Sequence, residues 1–375
     1  MGAIGGEMDV ADARFEAQRI AFAPVVFQVV QVMRRTGLLR QLVNAREWIP
    51  QVALETATGL TSYAATVLLE SAGAARVVER RQDGPDPRAE FVQWRATALG
   101  RLIERDPLVR VNMDFVGDVC YRSLAHLEES LKQGRPAGLH ELGPWQTFYE
   151  GMAEMPEPAR SSWFAYDHFY SDSAFPAALE ILAAREISHV ADVGANTGRF
   201  AIAFLQRFPH ARVTLCDLPQ QLALARANLA ESGLLEQARF FPCDLRDESS
   251  ELPHAEDAPD AFWMSQFLCC FPESQIRSIL QRAATAVRRE GSIFVLDTFW
   301  DDQAHPAAAY CLINTSPYFA AIANGASRMY RLDFVLSVAR QAGLAARQVW
   351  HQQGWCHTLI ELVRADGADP SGARQ

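Results

Sequence analysis

Two patterns of hydrophobic and polar positions meet near residue 180. Beyond it, short apolar runs alternate with amphipathic stretches. Residues 189–193, 212–216, 239–243, 261–265, 292–296, 347–350 and 357–363 read as strands, and the helices between them have stops at Gly233, Gly291 and Gly343. Strands alternating with helices predict an α/β fold, Rossmann-like, with a mostly parallel sheet covered on both faces. Ligands of such sheets sit beyond the carboxyl ends of the strands. Before residue 180 the pattern is mostly helical. Residues 21–33 carry Pro24, Gln28 and Gln31, so they read as a buried helix and fall short of the roughly 20 apolar residues a membrane span needs. Residues 62–72 have helical spacing and end near Gly73. Val77-Val78, a polar turn at Gly84-Pro85, a second run at 91–94 and a helix opening at Thr97 complete the outline of a winged helix. Residues 113–180 are rich in aromatics, Tyr121, Trp145, Phe148, Tyr149, Trp163 and Phe164 among them, which points to core or to the wall of an apolar pocket.

Composition narrows the classes. A chain of 375 residues exceeds one ordinary core and implies two domains, or one with a large appendage. A net charge of -10 argues against a nucleic-acid binder. Residues 62–72 offer no Lys or Arg to phosphates, and Arg76, Arg80 and Arg81 are the only nearby basic cluster. The first residues are acidic (Glu7, Asp9, Asp12, Glu16), unlike a secretory signal. Seven scattered cysteines without a CxxC spacing fit reduced thiols in the cytoplasm, with neither a disulfide framework nor a metal centre. The termini, 365–375 above all, read as loose ends.

The chemistry concentrates at strand ends. The first strand runs into Asp192-Val193-Gly194-Ala195-Asn196-Thr197-Gly198, where the two glycines permit a tight turn and close approach of a ligand. The third glycine of the dinucleotide fingerprint is missing, which weakens a nicotinamide reading. The second strand ends at Asp217-Leu218, placed to accept both hydroxyls of a ribose, and the third at Asp244-Leu245, placed to accept from an adenine amino group. Any one such acid is more often a helix N-cap. Three at successive strand ends point to an adenosine-type ligand.

This succession resembles the class I S-adenosylmethionine-dependent methyltransferases, most closely the small-molecule O-methyltransferases with an N-terminal winged-helix dimerisation region. The likeness covers roughly residues 15 to 364. It implies S-adenosylmethionine as cofactor, a seven-stranded sheet with the last strand antiparallel, a homodimer, and a pocket for a small aromatic acceptor, free or carrier-bound. The implied plan is a dimerisation domain over 1–112, a pocket-lining helical stretch over 113–180, and the methyltransferase domain over 181–364. Residues 113–121 and 163–175 are also similar to methyltransferases of aryl-polyene and flexirubin-type pigment clusters. In that segment the resemblance places Tyr166, Phe169 and Tyr170 at the substrate.

The departures bear on mechanism. Where the family carries Lys-x-x-x-His-Asp-Trp after the fourth strand, this chain has Ser265-Gln266-Phe267-Leu268-Cys269-Cys270-Phe271. Ser265 and Gln266 stay with the cofactor site and Phe271 keeps an aromatic face for adenine. Cys269 replaces the base histidine, and Asp297 stands where relatives carry an acid flanking that base. A thiolate can take a proton but is also a methyl acceptor, so Cys269 reads first as packing. His168, beside an Asp167 able to orient it, is the first substitute for the base, and His357 the second. Loss of the family base leaves O- and C-methylation both open. It also keeps two alternatives: use of the cofactor for hydroxylation, decarboxylation or pericyclic chemistry, and a non-catalytic winged-helix regulator.

Overall fold

The computed structural model describes residues 9–82, 92–254 and 257–365. The chain divides into two compact units, Met1–Gly117 and Asp118–Gln375. In the first unit, α1 (Val10–Arg35), α2 (Leu38–Asn44), β1 (Ile49–Pro50), α3 (Gln51–Thr58) and α4 (Ser62–Ala74) precede a hairpin of β2 (Val78–Gln82) and β3 (Val92–Ala96), then α5 (Ala98–Arg105) and α6 (Pro107–Phe115). The hairpin expected from the sequence is present, and β1 extends it to a three-stranded sheet in the order β1-β3-β2. Its Gly84-Pro85 turn and Phe91 lie outside the described residues. Trp94 anchors the unit: its ring is buried with Leu69 and Ala72 of α4, and its indole N–H donates to Gln51 Oε1 at 3.1 Å. No single described helix is long and apolar enough to cross a membrane. One bent pair, α3 with α4 at 116°, passes by length and composition only, and Leu54, Leu68 and Leu69 of that pair are buried in the core of this unit.

The second unit opens with helical segments: α7 (Leu127–Gln133), α8 (Phe148–Gly151), α9 (Ala159–Asp172) and α10 (Phe175–Ala184). Residues 118–180 fall within this unit. Then β4 (His189–Val193), α11 (Arg199–Arg207), β5 (Arg212–Asp217), α12 (Pro219–Glu231), β6 (Ala238–Pro242), β7 (Ala261–Ser265), α13 (Glu273–Ala286), β8 (Ser292–Asp297), α14 (Pro306–Tyr318), α15 (Leu332–Gln341), β9 (Leu344–Gln353) and β10 (His357–Arg364) follow. The sheet order is β6-β5-β4-β7-β8-β10-β9, and β10 runs antiparallel to both neighbours. The seven strands match the sequence reading, with β9 longer at both ends than the 347–350 run. Gly233 and Gly343 sit at positive φ just past their helices. Gly291 does not stop a helix: α13 ends at Ala286, and Gly291 closes the turn into β8 by donating to the Arg288 carbonyl at 2.8 Å.

The twofold alternation of strand side chains builds two cores. Ala191 and Val193, Phe262 and Met264, and Ile293 and Val295 face α13 and α15, while Val190, Trp263, Phe294 and Leu296 face α10, α11 and α12. With both faces sealed, only the strand ends remain for a ligand.

Candidate functional site

A cavity of about 330 Å³ lies beyond the carboxyl ends of β4, β5, β6 and β7. The β4 turn supplies Gly194 to Thr197, β5 supplies Asp217 and Leu218, the residues after β6 supply Cys243 to Arg246, and the end of β7 supplies Ser265 to Phe267. Of the cofactor residues expected from the sequence, Asp192, Gly194, Asn196, Asp217, Leu218, Asp244, Leu245, Ser265, Gln266 and Phe271 line this space. Gly198 does not; it is the left-handed N-cap of α11, with φ +77°.

The turn is built around backbone only it can adopt. Gly194 has φ +76°, and a Cβ there would stand 2.2 Å from the Phe267 ring. Asn196 (φ +48°) continues the turn and directs its N–H onto Asp217 Oδ2 at 2.8 Å, while Leu218 N–H donates to Asp217 Oδ1 at 2.7 Å. Asp217 is therefore fixed in orientation by two backbone donors, with lone pairs left over for a ligand. Gln266, at φ +48°, is a strained non-glycine position on the cavity wall.

Five buried side-chain atoms on lining residues find no partner among the described residues: Tyr149 Oη, Asp192 Oδ2, Asn196 Oδ1, Gln221 Oε1 and Ser265 Oγ. Unsatisfied buried polar atoms are costly and rare, so their convergence on one cavity marks places that a polar ligand completes. Charge points the same way. Burial pushes Asp192 up to about 8, Asp217 to about 6 and Asp167 to about 7. The nearest basic groups are committed elsewhere: Arg199 pairs with Asp172, and Arg246 with Asp244 and Glu150. Adenosine hydroxyls and a cationic amino-acid end are the ligand chemistry this donor set fits.

The side-chain geometry places the remaining candidates differently from one another. Asp244 lines the cavity, but both its oxygens accept from Arg246 (2.7 to 3.1 Å), which holds its carboxyl below the ordinary range. On α9, Trp163, Asp167, His168 and Ser171 face the cavity. Tyr166, Phe169 and Tyr170, expected at the substrate, are not on its wall, because helical spacing turns them away. Tyr166 Oη lies 3.3 Å from Thr315 Oγ1, Phe169 stacks on Trp355, and Tyr170 packs against Tyr166. Asp167 does not orient His168: its oxygens accept from Asn196 Nδ2 (3.2 Å) and Gln266 Nε2 (3.4 Å). His168 Nε2 meets Thr197 Oγ1 at 3.2 Å, and burial with the Arg199 charge lowers the ring to about 4.

Three further candidates lie off the cavity wall. His357 is fully buried on β10, both ring nitrogens find no partner among the described residues, and burial lowers it to about 3. Asp297 is buried at the end of β8, where Thr298 N–H caps it at 2.8 Å. Cys269 donates to the Gln266 carbonyl at 3.6 Å; hydrogen bonding with Cys270 and burial push its thiol up, so it stays protonated. Cys270, Tyr149, Gln221, Gln275 and Asn324 do line the cavity. Tyr149, Gln221, Gln275 and Asn324 belong to no motif and only Tyr149 was visible, as one aromatic among many, whereas Cys270 stood in the segment that departs from the family pattern.

A parallel sheet with one antiparallel strand and a polar, acid-rich cavity at its carboxyl edge defines the nucleoside-cofactor α/β enzymes as the class. The family is narrower. Residues 171–343 match the O-methyltransferase domain and residues 14–84 the Dimerisation2-like domain. Within the chain, a Dimerisation2-like match thus precedes an O-methyltransferase match. The demethylspheroidene O-methyltransferase of Cereibacter sphaeroides is 26% identical over 250 residues, 65% of this chain and 60% of that protein. The bacteriochlorophyllide d C-20 methyltransferase of Chlorobaculum tepidum is 26% identical over 176 residues, 46% of this chain and 50% of that protein. Each match spans less than two thirds of the relative's length. The apo structure of the S-adenosylmethionine-dependent methyltransferase SibL shares the fold, with a TM-score of 0.68, 24% identity, and 92% of this chain and 98% of that one covered.

Proposed function

We propose that this protein is an S-adenosylmethionine-dependent methyltransferase acting on a small aromatic, phenolic metabolite. The observation that carries the reading is the set of unpartnered buried polar atoms and buried carboxylates converging at the ends of β4 to β7. Asp217 would hold the ribose hydroxyls, Leu218, Leu245 and Phe271 the adenine faces, and Asn196, Asp192 and Ser265 the remaining polar edges. When bound, the cofactor supplies an activated methyl group on a cationic sulfur. The family match favours this use over non-methylating chemistry or a regulatory role. Pigment or other secondary metabolism in the cytoplasm is the setting we infer from the relatives' names and the free thiols.

The chain's own contribution to the chemistry is alignment, exclusion of water and custody of one proton. A phenol ionises near pH 10 and reacts better as phenolate, so a base near neutrality helps. With Cys269 held as a thiol, two cavity groups compete for the task. His168, lowered to about 4, is the weaker proton acceptor; Asp167, raised to about 7, is matched to working pH. We assign the proton to the Asp167 carboxylate, poised by the Asn196 and Gln266 amides. The test is a product assay with methyl-labelled cofactor against hydroxylated aromatic acids and their thioesters, with NMR to fix oxygen or ring carbon as the methylated atom. Binding of cofactor without any labelled product would favour the non-methylating alternative, and a gel shift on DNA at low salt would favour the regulator.

We also infer a homodimer. On α1, Phe15, Ile20, Phe22 and Val25 are each about half exposed or more. A long helix with that much apolar surface calls for a cover, and the Dimerisation2-like domain supports a second copy of the chain in that place.

A further inference from the structure

Among the described residues outside the cofactor cavity, one cluster of ligating side chains brings its ligand atoms together. His126 ends a one-turn helix at Ser123–His126, and His140 and Glu141 end another at Ala137–Glu141. Their ligand atoms all lie within 4.8 Å of one another. His126 Nε2 is 3.4 Å and His140 Nε2 3.6 Å from the same oxygen, Glu141 Oε1. A tetrahedral ion with bonds of about 2.0–2.1 Å separates its ligands by roughly 3.4 Å, so both measured edges are those of a coordination tetrahedron.

The backbone holds these ligands in place without help from an ion. The hydroxyl of Ser130, wholly buried, donates to the His126 carbonyl (3.0 Å) and accepts from Ala137 N–H (3.0 Å), tying the two turns together. They also meet so closely at Gly138 that a Cβ there would stand 2.2 Å from the Ser123 carbonyl oxygen. The outer contact of His140 orients its ring: Nδ1 donates to the Ala137 carbonyl, which leaves Nε2 facing Glu141.

We propose that His126, His140 and Glu141 bind a zinc-class divalent cation, with the remaining position taken by water. Two imidazoles and one carboxylate are the ligand set such borderline ions take, and both histidines reach solvent, so the ion can exchange. The site shares no residue with the cavity wall, and its occupancy is independent of the methyltransferase reading.

The full-length protein, stripped with chelator, is titrated with zinc by calorimetry and with cobalt(II) by visible absorption. The expected result is one ion per chain in the micromolar range, tetrahedral cobalt bands without a thiolate-to-metal band, and weakening by at least about tenfold in His140→Ala and in Glu141→Gln. Glu141→Gln keeps the side-chain size, and circular dichroism of both metal-free variants checks that the fold persists. No saturable binding, binding unchanged in a His126→Ala/His140→Ala double variant, or a thiolate band from cysteine ligation would each overturn the proposal.

Discussion

Replacing Asp167 by Asn tests the site where burial and chemistry are most tightly joined. The carboxyl rises from its ordinary 3.8 to about 7, first because it is buried and then because Asp172 adds a like charge; the Asn196 amide opposes the rise. That gap corresponds to about 4 kcal/mol between the neutral and ionised folded forms. For an acid whose folded value is raised, the folded chain keeps a proton that the unfolded chain has released. The stability this confers is complete below pH 4 and is lost as pH rises from 4 to 7. Asn at this position is neutral throughout. In urea titrations of the ligand-free protein, the variant should gain on wild type progressively across that window, by up to ~4 kcal/mol at pH 8. Turnover gives the second reading. Wild type should fall about tenfold per pH unit below 7 and level off above it, and the variant should be roughly 10²–10⁴-fold slower without that acid limb. A stability difference that does not change with pH would refute the buried-acid argument. Normal turnover in Asp167→Asn, with a dead His168→Ala, would return the base to His168.

Three further outcomes follow from the same geometry. Asp217→Ala should weaken S-adenosylmethionine by roughly 1.5–3 kcal/mol, the worth of charge-assisted bonds to ribose; calorimetry showing unchanged affinity would contradict the ribose role. His357, lowered to about 3 by burial, confers stability above pH 6.5 that is lost as pH falls toward 3. His357→Leu should therefore soften the acid limb of a pH–stability curve by up to ~5 kcal/mol, and an unchanged limb would mean the ring has partners. Light scattering should return a dimer at micromolar concentration, and replacing Ile20 and Phe22 with Ser should shift it toward monomer. A wild-type monomer would mean that α1 needs no cover.

Much of the fold was legible because it rests on local periodicity. Val190-Ala191 and the run from Ala261 to Met264 are apolar at consecutive positions, since both faces of a central parallel strand are buried. Asp192, Gly194, Asp217 and Asp244 announced themselves because a turn at a strand end needs particular residue types at particular spacings. The Gly291 turn was misread because a glycine after a helical run stops a helix only when the backbone there goes left-handed, a matter of local conformation.

The sequence by itself determined the strands, their alternation with helices, the acids at the strand ends and the loss of a histidine at Cys269. Only the tertiary structure decided how those groups are oriented, paired and buried. The rotation of α9 turns Asp167 and His168 into the cavity and Tyr166, Phe169 and Tyr170 away from it. Arg246 donates to the Asp244 oxygens, burial raises the Asp167 carboxyl and lowers the His168 ring, and hydrogen bonding with Cys270 and burial raise the Cys269 thiol. Periodicity is carried by neighbours along the chain, whereas orientation, pairing and desolvation are carried by residues far apart in it.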